Sequence, residues 1–361
     1  MIVEKQLFKM ERFTFKAGVS LPIEIGFETY GALNEDKSNA ILLCHFFSGN
    51  SHVAGRYSNE SENAEPGWWD TMVGPGKAFD TDHYFIICSD VLCNVSPYNP
   101  FVVTTGPASI NPVTGEKYGL SFPQVTIRDF VNVQHALVKS LGIETLYCVA
   151  GPSMGGMQAI QWAVDYPDAM KKVISVISGP RMPAYSGVIP LQIGVDAIRM
   201  SPEAGLRLAI KMMTFQNRSF ENISQLWGHP IPISGPLTSW DWNQQPHKYF
   251  QDLDYLIESR IHEVDPQHWL YISRANQLFN IEVGYGSLDE ALSRVQAEVL
   301  AVPVSSDLML PPKESKDMID RLQGLGKKAH YYEVETDGGH LSAITEYEKF
   351  IKPIKRFLDN E

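Results

Sequence analysis

The sequence predicts an α/β protein: a mostly parallel central sheet, helices on both faces, and a long helical insertion before the last strands. Three observations predict it. Short apolar, β-rich runs bounded by Gly, Pro or Asp recur along the chain, the pattern of central strands covered on both faces. Segments with apolar residues at helical spacing lie between several of these runs, and that alternation implies parallel pairing. The alternation breaks after Gly179 and resumes at Val299.

Taken in order, residues 11–31 (ERFTFKAGVSLPIEIGFETYG) alternate apolar and polar across a Gly-containing turn and read as a β-hairpin. The candidate central strands are Ala40–Cys44, Tyr84–Cys88, Leu146–Ala150, Val173–Ile177, Val299–Val304 and Ala329–Val334. Val125–Leu141 reads as a helix with Thr126 at its N-cap and Asp129 three residues on. Gly156–Tyr166 reads as a second helix, stopped by Pro167, and Pro312–Leu325 and Ser342–Leu358 as two more. Residues 180–295 are rich in Met, Trp, His and other aromatics, with helical stretches such as AGLRLAIKMMTF and QHWLYISRANQLF. The predicted organisation is therefore a core of residues 1–179 and 296–361, interrupted by a helical cap of residues 180–295. A cleft between a rigid sheet and a cap is a common ligand site.

The composition fits this reading and narrows the function. The 361 residues are 44% hydrophobic and 20% charged, ordinary for a soluble globular chain. The net charge is −12 and no Lys/Arg run exceeds two residues, which excludes nucleic-acid binding driven by phosphate neutralisation. The four cysteines form no C-x-x-C, and no Cys/His spacing suits zinc, so no metal is expected and the thiols read as buried and reduced. The first residues contain no signal-peptide core, and no 18-residue apolar stretch occurs; the cytoplasm is the expected location, with no membrane partner.

The chemistry is carried by residues 146–160, LYCVAGPSMGGMQAI. G-x-S-x-G is a short pattern, and here it gains weight from its context, an apolar strand before and a helix after. A nucleophile on such a turn is held in a strained backbone, and Gly151 and Gly155 relieve the crowding. Pro152 is unusual between them, but its fixed φ does not forbid the turn. The helix from Met154 aims its N–H groups at the same spot, so the Met154 N–H is one expected oxyanion donor. The second is expected from the loop after an earlier strand, at residues 44–50 (CHFFSGN), with the Phe47 N–H as candidate and Phe46 as its neighbouring alternative.

Ser153 needs a base and a group to orient it, in the chain order Ser, acid, His. Asp307 and His340 each lie just past a candidate strand, on the edge where Ser153 sits. Asp337 is a competing acid, which three residues before His340 suits shaping the turn. Asp307 as a helix-capping turn residue and His340 as a backbone-bonded histidine are the plainer readings; the joint order and placement of all three favour a triad. His45 and His52 flank the oxyanion loop and read as groups that hold it. His229, His247, His262 and His268 are scattered in the cap without metal spacing, and Trp68-Trp69 read as packing.

Beyond these motifs the chain resembles the homoserine O-acetyltransferase family of the α/β-hydrolase superfamily. The resemblance rests on CHFFSGNSHVAG (44–55), GWWDTMVGPGKAFDTDHYFIICSDVL (67–92), TTGPASINPVTGEKYG (104–119), FPQVTIRDFVNVQ (122–134), GPSMGGMQAIQWAVDYPD (151–168) and SSDLMLPP (305–312). It implies an α/β-hydrolase fold, Ser153, Asp307 and His340 as triad, acyl-CoA (acetyl-CoA) as co-substrate, homoserine as acceptor on the route to methionine, and a cap that often mediates a homodimer. The alternative of the same fold is a serine hydrolase, an esterase or thioesterase, in which water is the acceptor. Four departures bear on the acceptor. Leu341 stands where the family's triad His is usually followed by Asp, and Val195 where a cap Arg for the substrate carboxylate is expected. Arg199, one turn on, and Arg181, upstream, are the substitute candidates. The loop Cys93–Val103 replaces a glycine-rich segment, and Pro152 a common Gly.

Overall fold

The framework is an eight-stranded sheet, seen in a computed structural model that describes residues 1–59, 64–228 and 248–360. The chain begins with a two-residue strand β1 (Ile2–Val3), then β2 (Gln6–Thr14) and β3 (Ser20–Tyr30). Next come β4 (Ala40–Leu43), the short strands β5 (Arg56–Tyr57), β6 (Val73–Gly74) and β7 (Phe79–Asp80), and β8 (Phe85–Ser89). The remaining strands are β9 (Leu146–Pro152), β10 (Met170–Val176), β11 (Glu298–Val302) and β12 (Ala329–Tyr331). Across the main sheet the order is β12-β11-β10-β9-β4-β8-β3-β2. The six strands from β12 to β8 are parallel, and the hairpin β2–β3 adds an antiparallel edge through β3 and β8.

Two core clusters follow from the pleat. Leu42, Val149, Val173 and Val299 point to one face, under α1 (Ile127–Ser140), α2 (Met154–Asp165) and α9 (Pro312–Gly324). Ile41, Ile174 and Leu300 point to the other, under Trp69 and helix α11 (Glu348–Leu358). Both faces are covered, which is why these strands read as continuous apolar runs. Helix α1 starts on a capping box: Thr126 accepts from the Asp129 N–H while the Asp129 carboxylate accepts from the Thr126 N–H at 2.8 Å.

Between β10 and β11 the described residues hold the helices α3 (Ile189–Met200), α4 (Pro202–Gln216), α5 (Phe220–Trp227), α6 (Lys248–Glu258), α7 (Pro266–Gln277) and α8 (Leu288–Ser293). Trp269, Ile272 and Ala275 on α7 join the same apolar cluster as α1 and α2, so the insertion shares the core of the sheet. Among the described residues no helix is long and apolar enough to cross a membrane.

Two elements differ from the sequence expectation. The final strand stops at Tyr331, and only an isolated bridge between Val304 and Val334 continues the pairing. The single helix expected over residues 342–358 is broken into α10 (Ser342–Thr345) and α11. The Trp69 indole N–H donates to the Ala343 carbonyl at 2.9 Å, drawing that carbonyl out of the helical ladder. Trp69 is wholly buried and its neighbour Trp68 donates to the Asn50 carbonyl at 2.9 Å, so both serve packing and loop support.

Candidate active site

Strand β9 ends at Pro152, Ser153 follows, and α2 begins at Met154. Ser153 has φ 56° and ψ −120°, a region that costs an L-residue about 1–3 kcal/mol. The strain is held by two backbone bonds: the Ser153 N–H donates to the Val176 carbonyl at 2.9 Å, and the Met157 N–H to the Ser153 carbonyl at 3.0 Å. The neighbouring glycines admit a specific atom. A Cβ on Gly155 would stand 2.0 Å from the Cys44 carbonyl oxygen, and one on Gly151 2.3 Å from the same oxygen. The elbow thus presses against the end of β4, where the loop expected to carry an oxyanion donor begins.

Past β11, the wholly buried Asp307 carboxylate is fixed at both oxygens. Oδ1 accepts from the N–H groups of Met309 (2.8 Å) and Leu310 (2.9 Å), and Oδ2 lies 2.7 Å from His340 Nδ1. His340 Nε2 is 2.8 Å from Ser153 Oγ. Nδ1–H donating to an acceptor-only carboxylate leaves Nε2 free to accept the Ser153 hydroxyl proton. His340 sits in a single turn, aimed by Gly339 at φ 71°. That turn is tied to the Asp307 loop by Ser306, which accepts from the Gly339 N–H at 3.0 Å and donates to the Thr336 carbonyl. Sequence reasoning passed over Ser306, although its place beside Asp307 was the available signal. Asp337 is exposed, and its carbonyl accepts from Ser219 of the insertion.

The loop after β4 brings the other donors. Among the described residues the N–H groups of Phe46, Phe47 and Met154 have no protein acceptor. The Phe47 ring meets the Trp269 ring of α7 edge-on at 4.9 Å. His45 is wholly buried; its Nδ1–H donates to the Phe46 carbonyl at 2.7 Å, and burial holds its pKa down at about 4. His52 Nδ1 lies 3.0 Å from Glu28 Oε2. Burial alone would raise the Glu28 pKa, but the hydrogen bond from His52, the Lys5 charge, and hydrogen bonds from Lys5 and Tyr30 outweigh it and bring it to about 2. Tyr30 in turn accepts from the N–H groups of Val53 and Ala54 at 3.2 and 3.3 Å, so a buried ionic cluster anchors the end of the loop.

The insertion places its charged groups less simply. Arg181 is no free cation: its guanidinium is paired with Glu314 at 3.2 Å and Glu282 at 3.3 Å. Arg199 is exposed in the last turn of α3, and Val195 is buried on the same helix. Arg218, which sequence reasoning missed, is half-buried and has no carboxylate partner among the described residues. Its guanidinium donates to Asn222 at 2.9 Å and lies over the Trp227 ring. Its backbone touches the His340 turn, since a Cβ on Gly339 would lie 2.9 Å from the Arg218 Cα. The Leu341 N–H donates to the Asn217 carbonyl at 2.8 Å, adding a second tie. His268 is buried and bonded through both ring nitrogens, His262 is exposed, and His229 and His247 lie outside the described residues. The four cysteines are free and buried, and among the described residues no cluster of three metal-ligating side chains occurs.

Comparison with known proteins places this geometry in a family. Residues 39–193 match the family model described as the alpha/beta hydrolase fold. A homoserine O-acetyltransferase of Deferribacter desulfuricans is 37% identical over 359 residues, covering 96% of this chain and 92% of that protein. The crystal structure of homoserine O-acetyltransferase from Bacillus anthracis matches with a TM-score of 0.94 at 39% identity, covering 99% of this chain and 98% of that one. The crystal structure of esterase E22 matches with a TM-score of 0.91 at 38% identity, covering 99% of this chain and 100% of that one.

Proposed function

Because the chain belongs to the homoserine O-acetyltransferase family, on an α/β-hydrolase fold, we propose that it is an acyltransferase working through an acyl-Ser153 intermediate. The observation that carries this reading is the relay from Asp307 through His340 to Ser153 Oγ, at 2.7 and 2.8 Å. His340 Nε2 takes the Ser153 proton as Oγ attacks the thioester carbonyl of a short acyl-CoA. The oxyanion is received by the N–H groups of Met154 and Phe47, which have no protein acceptor among the described residues. Collapse breaks the C–S bond, and the CoA sulfur leaves with the proton from His340. A hydroxyl acceptor, homoserine in the family's named activity, then gives its proton to His340 and attacks the ester carbonyl. A second oxyanion forms and collapses, and Ser153 recovers its proton.

In this reading helices α3 to α8 act as a cap over the strand ends, and Arg218 is the cation for an acceptor carboxylate. Exposed Ile193, Leu208 and Phe215 on the cap supply an apolar face for a second copy of the chain. Dependence on CoA thioesters puts the working enzyme in the cytoplasm. The test is CoA release from acetyl-CoA with and without homoserine. Release should rise at least about tenfold with homoserine and vanish in Ser153→Ala. Equal release without an acceptor would sink the transferase reading, and an active Ser153→Ala would sink the site.

A second reading is favoured by Leu341. With no acid after His340, the ammonium group of homoserine lacks the partner the family supplies, at a cost of about 1.5–3 kcal/mol. Water then competes for the acyl-enzyme, and the protein acts as an esterase or thioesterase. The likeness to esterase E22 at 38% identity supports this alternative.

A further inference from the structure

We propose that Asn94 is a positioning residue for the oxyanion hole, one that ties the hole to helix α7 of the insertion. The proposal rests on the assignment of the Phe47 loop as the hole. Asn94 is buried on the loop after β8, and each of its four polar atoms is engaged. Nδ2 donates to the Gly49 carbonyl at 2.9 Å, and Oδ1 accepts from the Ser96 N–H at 3.1 Å. The backbone N–H donates to Thr104 Oγ1 at 3.1 Å, and the backbone carbonyl accepts from His268 Nδ1 at 2.7 Å.

The first of these bonds reaches the hole. The Gly49 N–H closes a turn on the Phe46 carbonyl at 3.0 Å, and Phe47 lies inside that turn. The Phe46 carbonyl shares its peptide plane with the Phe47 N–H, so holding Gly49 through its carbonyl braces the turn that aims that N–H. The preceding residue, Cys93, is buried with φ 59°, and a side-chain-bearing residue keeps such a conformation where its surroundings impose it. The Asn94 amide that follows reaches the Gly49 carbonyl of the loop.

The last bond reaches the insertion. His268 is fixed from both sides, since its Nε2 accepts from the Ala108 N–H at 3.0 Å. Its neighbour Trp269 packs on the Phe47 ring, and Asn276, two turns on, lies 3.3 Å from the Met154 sulfur. One helix of the insertion thus contacts the residues of both hole donors, and Asn94 is the polar node between that helix and the loop. The node falls in the segment 93–103, which contains no glycine.

Asn94→Asp tests it, because the substitution keeps the size and Oδ1 but sets an acceptor against the Gly49 carbonyl. The readouts are kcat and KM with p-nitrophenyl acetate, and the Ki of phenylboronic acid, whose tetrahedral adduct on Ser153 uses the hole. The expected result is a kcat lower by about 10–100-fold, a Ki raised by a similar factor, and a KM within about threefold of wild type. Wild-type kcat and Ki overturn the proposal, as does a raised KM with unchanged Ki. If Asn94→Asp does not fold, Asn94→Ala, which leaves the Gly49 carbonyl unpaired, is judged by the same two outcomes. Ser153→Ala run in parallel separates the failures. Its inactivity beside a wild-type Asn94→Asp overturns this proposal alone, while its activity overturns the reading of the site.

Discussion

Lowering the pH from 7 to 4.5 should destabilise this protein, and His45 contributes a separable share of that loss. Its imidazole is wholly shut from water at the start of the oxyanion loop, with Nδ1 bonded to the Phe46 carbonyl and Nε2 without a partner among the described residues. Burial holds its pKa at about 4, against 6.5 for a free histidine. The unfolded chain therefore takes up a proton that the native state refuses. Stability is full above pH 6.5 and is lost as the pH falls toward 4. Integrated from pH 7 to 4.5, this one group accounts for about 2.5 kcal/mol.

The assay is urea unfolding at several pH values across this range, for wild type and His45→Asn. The Asn amide can keep the donor to the Phe46 carbonyl but does not titrate. Its smaller volume lowers stability by a constant at every pH, and the remaining carboxylates titrate alike in both proteins, so both effects drop out of the slope. The variant should lose about 2.5 kcal/mol less than wild type between the two ends of the range. Parallel pH profiles for the two proteins would refute the reasoning, because His45 would then titrate in the native state as it does in the unfolded chain.

Three further outcomes are expected. Gly155→Ala would drive a Cβ to 2.0 Å from the Cys44 carbonyl oxygen, a backbone atom, and should lower stability by about 3 kcal/mol or more in denaturant unfolding; a wild-type midpoint would contradict the close approach. Asp307→Asn should preserve the fold and KM but lower kcat by about three to four orders of magnitude, since the amide no longer enforces the Nδ1–H tautomer of His340; a variant with substantial residual kcat would mean another group orients the histidine. Leu341→Asp should raise the ratio of homoserine acetylation to acetyl-CoA hydrolysis by about tenfold or more, the equivalent of one charge-assisted bond. An unchanged ratio would show that residue 341 does not face the acceptor's ammonium group.

What could be read from the sequence was what depends on near neighbours or on strand order. Ala40–Cys44 and Val173–Ile177 read as central strands because the runs are apolar on both faces, and the Thr126–Asp129 capping box lies within four residues. The order Ser153, Asp307, His340 was legible because each follows a strand in a sheet whose strand ends carry the chemistry. What stayed hidden depends on partners far along the chain. Arg181 reads as a spare cation until Glu282 and Glu314, 101 and 133 residues away, are seen to neutralise it. The break before α11 is set by Trp69, 274 residues from Ala343. The glycines of the elbow suggested crowding, but not that the crowding atom is the Cys44 carbonyl, which links the elbow to the start of the oxyanion loop.

The departures from the family pattern fall unevenly over the two half-reactions. In the proposed mechanism acylation needs Ser153 after β9, the Phe47 N–H after β4, Asp307 after β11 and His340 after β12, all on parallel strands of one sheet in which β10 separates β11 from β9. Deacylation uses the same base and the same hole whether the acceptor is water or an alcohol, so the outcome depends on how long the acceptor is held against the acyl-Ser153 ester. In the proposed reading the groups that hold it are on the 217–219 segment and in the turn at Leu341. These two are joined to each other, by the Leu341 N–H to the Asn217 carbonyl at 2.8 Å and by the Ser219 hydroxyl to the Asp337 carbonyl. Arg218, the proposed acceptor cation, thus lies between two residues bonded to the turn carrying His340. In the proposed reading these two bonds couple acceptor fit to base position, and water, which needs no seat, escapes that coupling.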